Sequence, residues 1–340
     1  MDIYQVGGSV RDEILGVVPK DKDWVVVGSS PKEMEDLGFK AIGKDFPVFL
    51  HPETNEEYAL ARTERKSGQG YKGFTFYYDK TVTIEEDLER RDLTINAIAK
   101  DKNGKFIDPF NGMEDLKNKL FNNVSNAFSE DPLRAMRVGR FLTYNQLQEF
   151  KLTQSLKQSI NAIVKSNELK VLSSNRVWAE IVKSLNNHHS ANFFIFIKEM
   201  SLTDPWFRDL KSISNLEAKT MELKWVLLES QNQFKISNHF KLPKNLLNLL
   251  KVCKLLIQVS QTSDENTLAK QIGLLNIERN KLYIDDILTI GIQRMHTQKI
   301  KTILKEYKKL NLRDLDEIKP SEIKNEKHNR LLKIVKKINV

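Results

Sequence analysis

Asp21 and Asp23 stand one residue apart, directly before the apolar run Trp24-Val25-Val26-Val27. Residues two apart on a strand face the same way, so this spacing predicts two carboxylates side by side at a strand's start. Such carboxylates repel each other. A Mg²⁺ ion relieves the repulsion and is typically held by one or two carboxylates together with water and substrate phosphates. Asp21 and Asp23 are therefore candidate metal ligands and catalytic residues. Upstream, Gly7-Gly8-Ser9-Val10-Arg11-Asp12 predicts a helix that Ser9 caps, with backbone N–H groups near Gly8 left free to receive a phosphate. Arg11, in the first turn, can reach the same anion, and Asp12 reads as a first-turn residue that complements the helix dipole.

Two later segments concentrate arginine: Arg90-Arg91-Asp92-Leu93-Thr94-Ile95-Asn96-Ala97, and Glu130-Asp131-Pro132-Leu133-Arg134-Ala135-Met136-Arg137-Val138-Gly139-Arg140-Phe141. Arg134, Arg137 and Arg140 recur every three residues, which predicts one helical face. Guanidinium is planar and forked, a shape that suits phosphate oxygens. Asp131 before Pro132 reads as an N-cap followed by a proline at the first helical position. Arg90 follows Glu86 by four residues, the spacing of a surface ion pair, and so ranks below Arg91 as an anion ligand. His188-His189 has no further histidine nearby, and metal sites usually need three or four convergent ligands, so no metal is expected there.

The Gly-Gly-Ser and Asp-x-Asp arrangement resembles the nucleotidyltransferase superfamily that includes DNA polymerase beta. Arg90-Arg91-Asp92 resembles a motif of class II tRNA nucleotidyltransferases and bacterial poly(A) polymerases. Glu130-Asp131-Pro132-Leu133-Arg134 resembles their Glu-Asp-x-x-Arg motif, and Ala59 to Phe76, with Arg62, looks like the flexible loop of CCA-adding enzymes. The likeness is to the gammaproteobacterial CCA-adding branch, densely over residues 1–180 and loosely beyond. It implies template-independent addition of CCA to the tRNA 3′ end from CTP and ATP, with Mg²⁺ as cofactor and pyrophosphate released. Phosphoryl transfer of this kind is mainly positioning and charge stabilisation. Asp21 and Asp23 would hold the metal, while Gly8, Arg11, Arg91, Arg137 and Arg140 would bind the nucleotide. The resemblance further implies that Asp131 and Arg134 read the base edge, that Asp92 and Asn96 bind the ribose, and that the partner is tRNA, contacted from 3′ end and acceptor stem to elbow. Some relatives carry a His-Asp phosphohydrolase domain. No His-Asp dipeptide occurs in this sequence, so no phosphatase or phosphodiesterase activity is expected.

The elements that must position these residues divide the chain. Twelve of fourteen glycines lie at or before Gly139. Short extended candidates (Trp24 to Val27, Glu57 to Ala61, Phe74 to Tyr78) alternate there with helical stretches (Ser9 to Leu15, Lys32 to Leu37, Ile84 to Arg91, Met113 to Leu120). Ile95 to Ala99 and Phe106-Ile107 flank the hairpin signal Asn103-Gly104. From about Pro132 the helical period takes over, with breaks near Ser173-Ser174-Asn175, Thr203-Asp204-Pro205, Leu242-Pro243 and Lys319-Pro320-Ser321. The expected fold class is α+β: a polymerase-beta-like nucleotidyltransferase domain with a mixed sheet (1–125), a helical nucleotide-recognition neck (126–185) and a helical tRNA-binding body (186–340).

Charge follows the same division. The chain's +9 splits into 21 Lys+Arg against 26 Asp+Glu over residues 1–150, and 33 against 19 over 151–340. The second half therefore suits a polyanionic partner. A hydrophobic content of 40% excludes a disordered chain. No apolar run reaches the ~18 residues of a membrane span, and the N-terminus has neither a basic n-region nor an apolar h-region. Cytoplasmic location without membrane contact is the expectation. Cys253, the one cysteine, excludes an internal disulfide and cysteine-based zinc sites and reads as helix packing. Three functions remain distinguishable: CCA addition; A-addition or poly(A) polymerisation; and non-catalytic RNA binding, against which the paired aspartates and the arginine set argue. Oligomeric state stays open between monomer and homodimer.

Overall fold

The computed structural model describes residues 1–42, 47–66, 68, 73–310 and 320–338. The chain forms two compact units, Met1–Pro205 and Trp206–Val340.

The first unit begins with β1 (Asp2–Val6), α1 (Gly8–Ile14) and β2 (Asp23–Val27), followed by α2 (Pro31–Asp36), β3 (Lys40–Ala41), β4 (Val48–Leu50) and β5 (Glu57–Leu60). β6 (Thr63–Lys66) and β7 (Phe74–Tyr77) form a separate antiparallel hairpin, and α3 (Ile84–Glu89), β8 (Ala99–Lys100), β9 (Phe106–Ile107) and α4 (Gly112–Lys117) complete the head. The main sheet has the order β3-β4-β5-β2-β1-β8-β9. It is mixed: β2 runs antiparallel to β1 and parallel to β5. Central β2 is covered on both faces, which explains its unbroken valine run. Val25 joins Val6, Ile84 and Leu88 on one side, and Val26 joins Met34, Phe49 and Leu60 on the other.

Helix starts follow local chemistry. Ser30 with Glu33, and Thr83 with Glu86, form reciprocal capping boxes that begin α2 and α3. The Asn103-Gly104 signal does turn the chain between β8 and β9, with Gly104 at φ +83°. Two expectations fail nearby. Ile95 lies in a 3-10 turn (Thr94–Asn96), where its wholly buried side chain serves packing rather than pairing. The stretch expected to stay helical to Leu120 ends at Lys117, and Leu120–Phe121 pairs as strand β10 with β11 (Lys151–Leu152).

The helices α5 (Leu133–Phe141), α6 (Gln154–Ser166), α7 (Ser174–Leu185) and α8 (Ala191–Glu199) finish this unit. Both α7 and α8 pack on α5, so the expected 185/186 division runs between two helices that share a partner, within the first compact unit. α5 starts one residue later than its sequence suggests. Pro132 is the N-cap, and Asp131 nevertheless accepts the Leu133 N–H at 3.1 Å.

The second unit contains α9 (Met221–Gln231), α10 (Lys244–Gln261), α11 (Glu265–Leu275), α12 (Lys281–Ile287), α13 (Thr297–Tyr307) and α14 (Pro320–Ile338). α10 is its centre, packing on α9, α11, α12 and α13. Cys253 lies buried on α10 between Val252 and Leu256, and burial pushes its thiol up to about 12. No helix among the described residues is long and apolar enough to cross a membrane.

Candidate active site

The turn from β1 into α1 starts the site. Gly7 is the N-cap at φ +73°, a conformation cheap only for glycine. A Cβ there would lie 3.0 Å from Arg91 Nη1. Ser9, expected to cap, is already inside the helix, and its hydroxyl donates back to the Val6 carbonyl at 3.0 Å, tying α1 to the end of β1. Val6 pairs with Asp23 across the antiparallel register, which sets Asp23 beside the glycine turn. Asp21 does not share a strand with it. β2 begins at Asp23, and Asp21 occupies the exposed bend before it, so strand alternation never reaches Asp21.

The two carboxylates still feel each other. Burial raises the Asp23 carboxyl, the Arg91 charge opposes that, and the Asp21 charge raises it further. Among the described residues no cluster of three or more His, Cys, Asp or Glu converges on a metal position. The protein thus offers two carboxylates, and a cation there would complete its shell with water and substrate oxygens, the donor set that suits Mg²⁺.

Asp23 edges a cavity of about 670 Å³ lined by nine basic side chains and five acidic ones. That size falls within the range of small-molecule sites, and the charge excess favours a polyanion. Gly8, Arg11, Arg62, Arg91, Asp92, Asn96, Asp131, Arg134, Arg137 and Arg140 all line it; of the expected site residues only Asp21 does not.

Three of the four expected nucleotide-binding arginines are mounted alike, each gripped at Nε by a carboxylate. Arg11 Nε donates to Asp12 at 2.9 Å, Arg137 Nε to Asp92 at 2.6 Å, and Arg140 Nε to Glu180 at 2.6 Å. Asp12 is therefore the counter-ion of Arg11 rather than a dipole residue. Arg11 Nη1 bonds Asn96 Oδ1 at 2.7 Å, and Asn96 Nδ2 bonds Asp92 at 3.1 Å, which joins Arg11 to Arg137 through a continuous buried network. Burial disfavours a charged Asp92, yet the Arg137 charge and the Asn96 amide hold its carboxyl well below the usual range. Arg140 Nη1 bonds the Tyr144 hydroxyl at 2.7 Å.

Under the arginine pair lies Asp87, fully buried. It accepts from Arg90 at 3.0 and 2.6 Å, from Arg91 at 3.1 Å and from the Arg62 backbone N–H at 3.2 Å. Burial opposes its ionisation, but the Arg90 and Arg91 charges bring it down to about 2. Arg90 is thus not paired with Glu86, whose carboxylate instead accepts the Thr83 N–H. Arg90 also bonds Glu64 at 3.0 Å and the Arg62 carbonyl at 3.1 Å. Glu64 takes Arg62 Nε as well, so the hairpin's root is bound to the head. Ser67 and residues 69–72 of the expected flexible loop lie outside the described residues.

At the helical wall, Asp131 Oδ2 accepts from Arg176 at 2.9 Å, and Arg134 donates to the carbonyls of Ala127 and Arg90 at 3.0 and 2.6 Å. Each carboxylate oxygen has a second lone pair and each terminal guanidinium nitrogen a second hydrogen, which leaves capacity for a base edge. Sequence reasoning missed Asp87, Arg176, Glu180 and Lys183. The last three recur at positions i, i+4 and i+7 of α7, a one-face pattern visible in the sequence. Asp87 carried no signal beyond its place in a helix.

Parts of the chain are similar to known proteins. Residues 3–122 match the model described as Poly A polymerase head domain. The chain is also 57% identical over 199 residues to the Multifunctional CCA protein of Aliivibrio salmonicida (strain LFI1238), covering 58% of this chain and 49% of that protein. It therefore spans about half the length of this curated relative. In fold it resembles the Bacillus stearothermophilus CCA-adding enzyme in complex with CTP, with a TM-score of 0.64 at 23% identity over 99% of this chain and 89% of that one. It also resembles the Thermotoga maritima CCA-adding enzyme complexed with tRNA, with a TM-score of 0.65 at 19% identity over 99% and 90%. The matched segment carries the glycine turn, Arg11, Asp21, Asp23, Arg62 and the Arg90-Arg91-Asp92 segment, while Arg134, Arg137, Arg140 and Arg176 reach the cavity from α5 and α7.

Proposed function

We propose that this chain is a CCA-adding tRNA nucleotidyltransferase that extends tRNA 3′ ends with CTP and ATP in the cytoplasm. The observation that carries the reading is one cavity holding Asp23 at its edge, a cationic floor, and Asp131 with Arg134 on its wall. Arg11, Arg91, Arg137 and Arg140 bind the triphosphate; Asp131 and Arg134 read cytosine or adenine; Asp92 and Asn96 meet the ribose with their remaining hydrogen-bonding capacity. The tRNA 3′-oxygen attacks the α-phosphorus, the bond to the β-phosphate breaks, pyrophosphate leaves with the electron pair, and the hydroxyl proton passes to solvent. Mg²⁺ held by Asp21 and Asp23 would favour the attacking alkoxide and neutralise the leaving group. We assign nucleotide recognition to residues 126–185 and tRNA binding to 186–340. The basic character of Trp206–Val340, with 26 Lys+Arg against 15 Asp+Glu, supports the latter.

The test supplies tRNA ending at the discriminator base, at C or at CC, with labelled CTP or ATP and Mg²⁺. Stepwise completion of all three substrates is expected. A added only to the CC end makes the protein an A-adding enzyme, and long A tails on unstructured RNA make it a poly(A) polymerase. Asp21→Ala and Asp23→Ala should each abolish incorporation with tRNA binding retained; activity persisting in both overturns the metal assignment.

A further inference from the structure

Three of the cavity's arginines share one aromatic ring. The guanidinium carbons of Arg140, Arg11 and Arg137 lie 4.6, 5.5 and 5.6 Å from the centre of the Phe141 ring, all inside the ~6 Å reach of a cation–π contact. Phe141 is 3% exposed, and Arg11 and Arg140 are 3% and 8% exposed, so water screens these two contacts little, while the Arg137 side chain is 36% exposed. Tyr144 sets its ring edge-on to Phe141, with centroids 5.9 Å apart.

The arrangement answers a conflict in the design of an anion site. A carboxylate fixes an arginine but cancels its charge and occupies its N–H groups. Asp92 and Glu180 do this at Nε, and Asp12 at both Nε and Nη2 of Arg11. Arg137 has this one attachment, which leaves its guanidinium plane free to rotate, while Arg11 is held further by Asn96 and Arg140 by the Tyr144 hydroxyl, each at the expense of another donor. An aromatic face supplies a second point through its quadrupole, takes no hydrogen-bond donor and neutralises nothing. Among the described residues, Nη1 and Nη2 of Arg137 and Nη2 of Arg140 have no hydrogen-bond partner, so these donors remain for substrate oxygens.

We propose that Phe141 is a positioning residue for the triphosphate, the common platform that orients Arg11, Arg137 and Arg140 without consuming their donors. This rests on the nucleotidyltransferase reading given above. The ring's electrostatic face, and not only its volume, then matters to phosphate affinity.

The experiment places 4-fluoro-, 3,5-difluoro- and 3,4,5-trifluorophenylalanine at position 141. These keep the ring's shape while progressively draining its negative face. Phe141→Leu and Phe141→Tyr are measured beside them. KM and kcat are determined for CTP on tRNA ending at C and for ATP on tRNA ending at CC, and inorganic tripolyphosphate binding is measured by calorimetry. KM should climb with each fluorine and rise about tenfold in Phe141→Leu, an effect of cation–π size. The rise should be equal for CTP and ATP, paralleled in tripolyphosphate affinity, and largely reversed in Phe141→Tyr. A flat fluorine series overturns the platform, as does a loss confined to kcat or to one nucleotide. A wild-type protein that adds no nucleotide defeats the nucleotidyltransferase reading instead, and tripolyphosphate binding by the fluorinated series still decides the role of Phe141.

Discussion

At the scale of single residues, the cationic floor depends on acids that neutralise it from beneath. Asp87 is the clearest case, holding Arg90, Arg91 and the Arg62 backbone while wholly buried. Its folded value of about 2 lies below its ordinary 3.8. The stability it contributes is therefore complete above about pH 4 and is lost as pH falls through about 2. A shift of this size corresponds to about 2 kcal/mol. Asp87→Asn should lower the melting temperature at pH 7 and weaken the acid-induced fall of stability between pH 4 and 2. Equal acid sensitivity in wild type and variant would show that another carboxylate governs that range. The arginines were legible because their motif spacing is local. Their counter-ions were not, since Glu180 reaches Arg140 across 40 residues and Asp92 reaches Arg137 across 45.

At the scale of elements, α5 carries the arginines and its placement depends on Gly139. A Cβ there would stand 2.8 Å from Phe196 Cδ1 and 3.2 Å from Phe193 Cδ2, both on α8 and both buried. Gly139→Ala gains helix propensity of up to ~1 kcal/mol, while overpacking a filled core costs about 1–3 kcal/mol. The second effect should win, lowering the melting temperature by several degrees and weakening nucleotide binding through displaced arginines. A melting temperature at or above wild type in a thermal scan would mean the two rings yield freely. The Asn103-Gly104 turn was readable because it is decided within four residues; the capping boxes of α2 and α3 are equally local but were not singled out. The Ser9 cap and the shared strand of Asp21 and Asp23 failed for a different reason: a helix that starts at Gly8 and a strand that starts at Asp23 are set by β1 pairing and core packing.

At the scale of the molecule, the two compact units differ in charge, and the helical one contains its own titratable core. Glu229 is wholly buried on α9; its Oε1 accepts from Ser237 N–H and Oγ at 2.5 and 2.7 Å, and its Oε2 has no partner. Burial, against the Ser237 hydrogen bonds, raises it from an ordinary 4.5 to about 7. The folded state thus favours the protonated acid. Its contribution is fully present below pH 4.5 and is lost as pH rises through about 7. Glu229→Gln keeps the acceptor and removes the charge. The wild type should melt lower at pH 8 than at pH 5, and the variant should show little of that slope. The same slope in both would exclude Glu229 as its source.

The sequence by itself determined the α+β class, the glycine turn, the aspartate pair, the arginine-bearing segments and the basic second half, because each is a matter of residue type and short spacing. Tertiary structure decided which arginine rests on which acid, that Asp21 stands off the cavity while Asp23 borders it, and that one phenylalanine ring underlies three cations. Those outcomes depend on strand register and helix packing, which bring together residues that are dozens of positions apart in the chain.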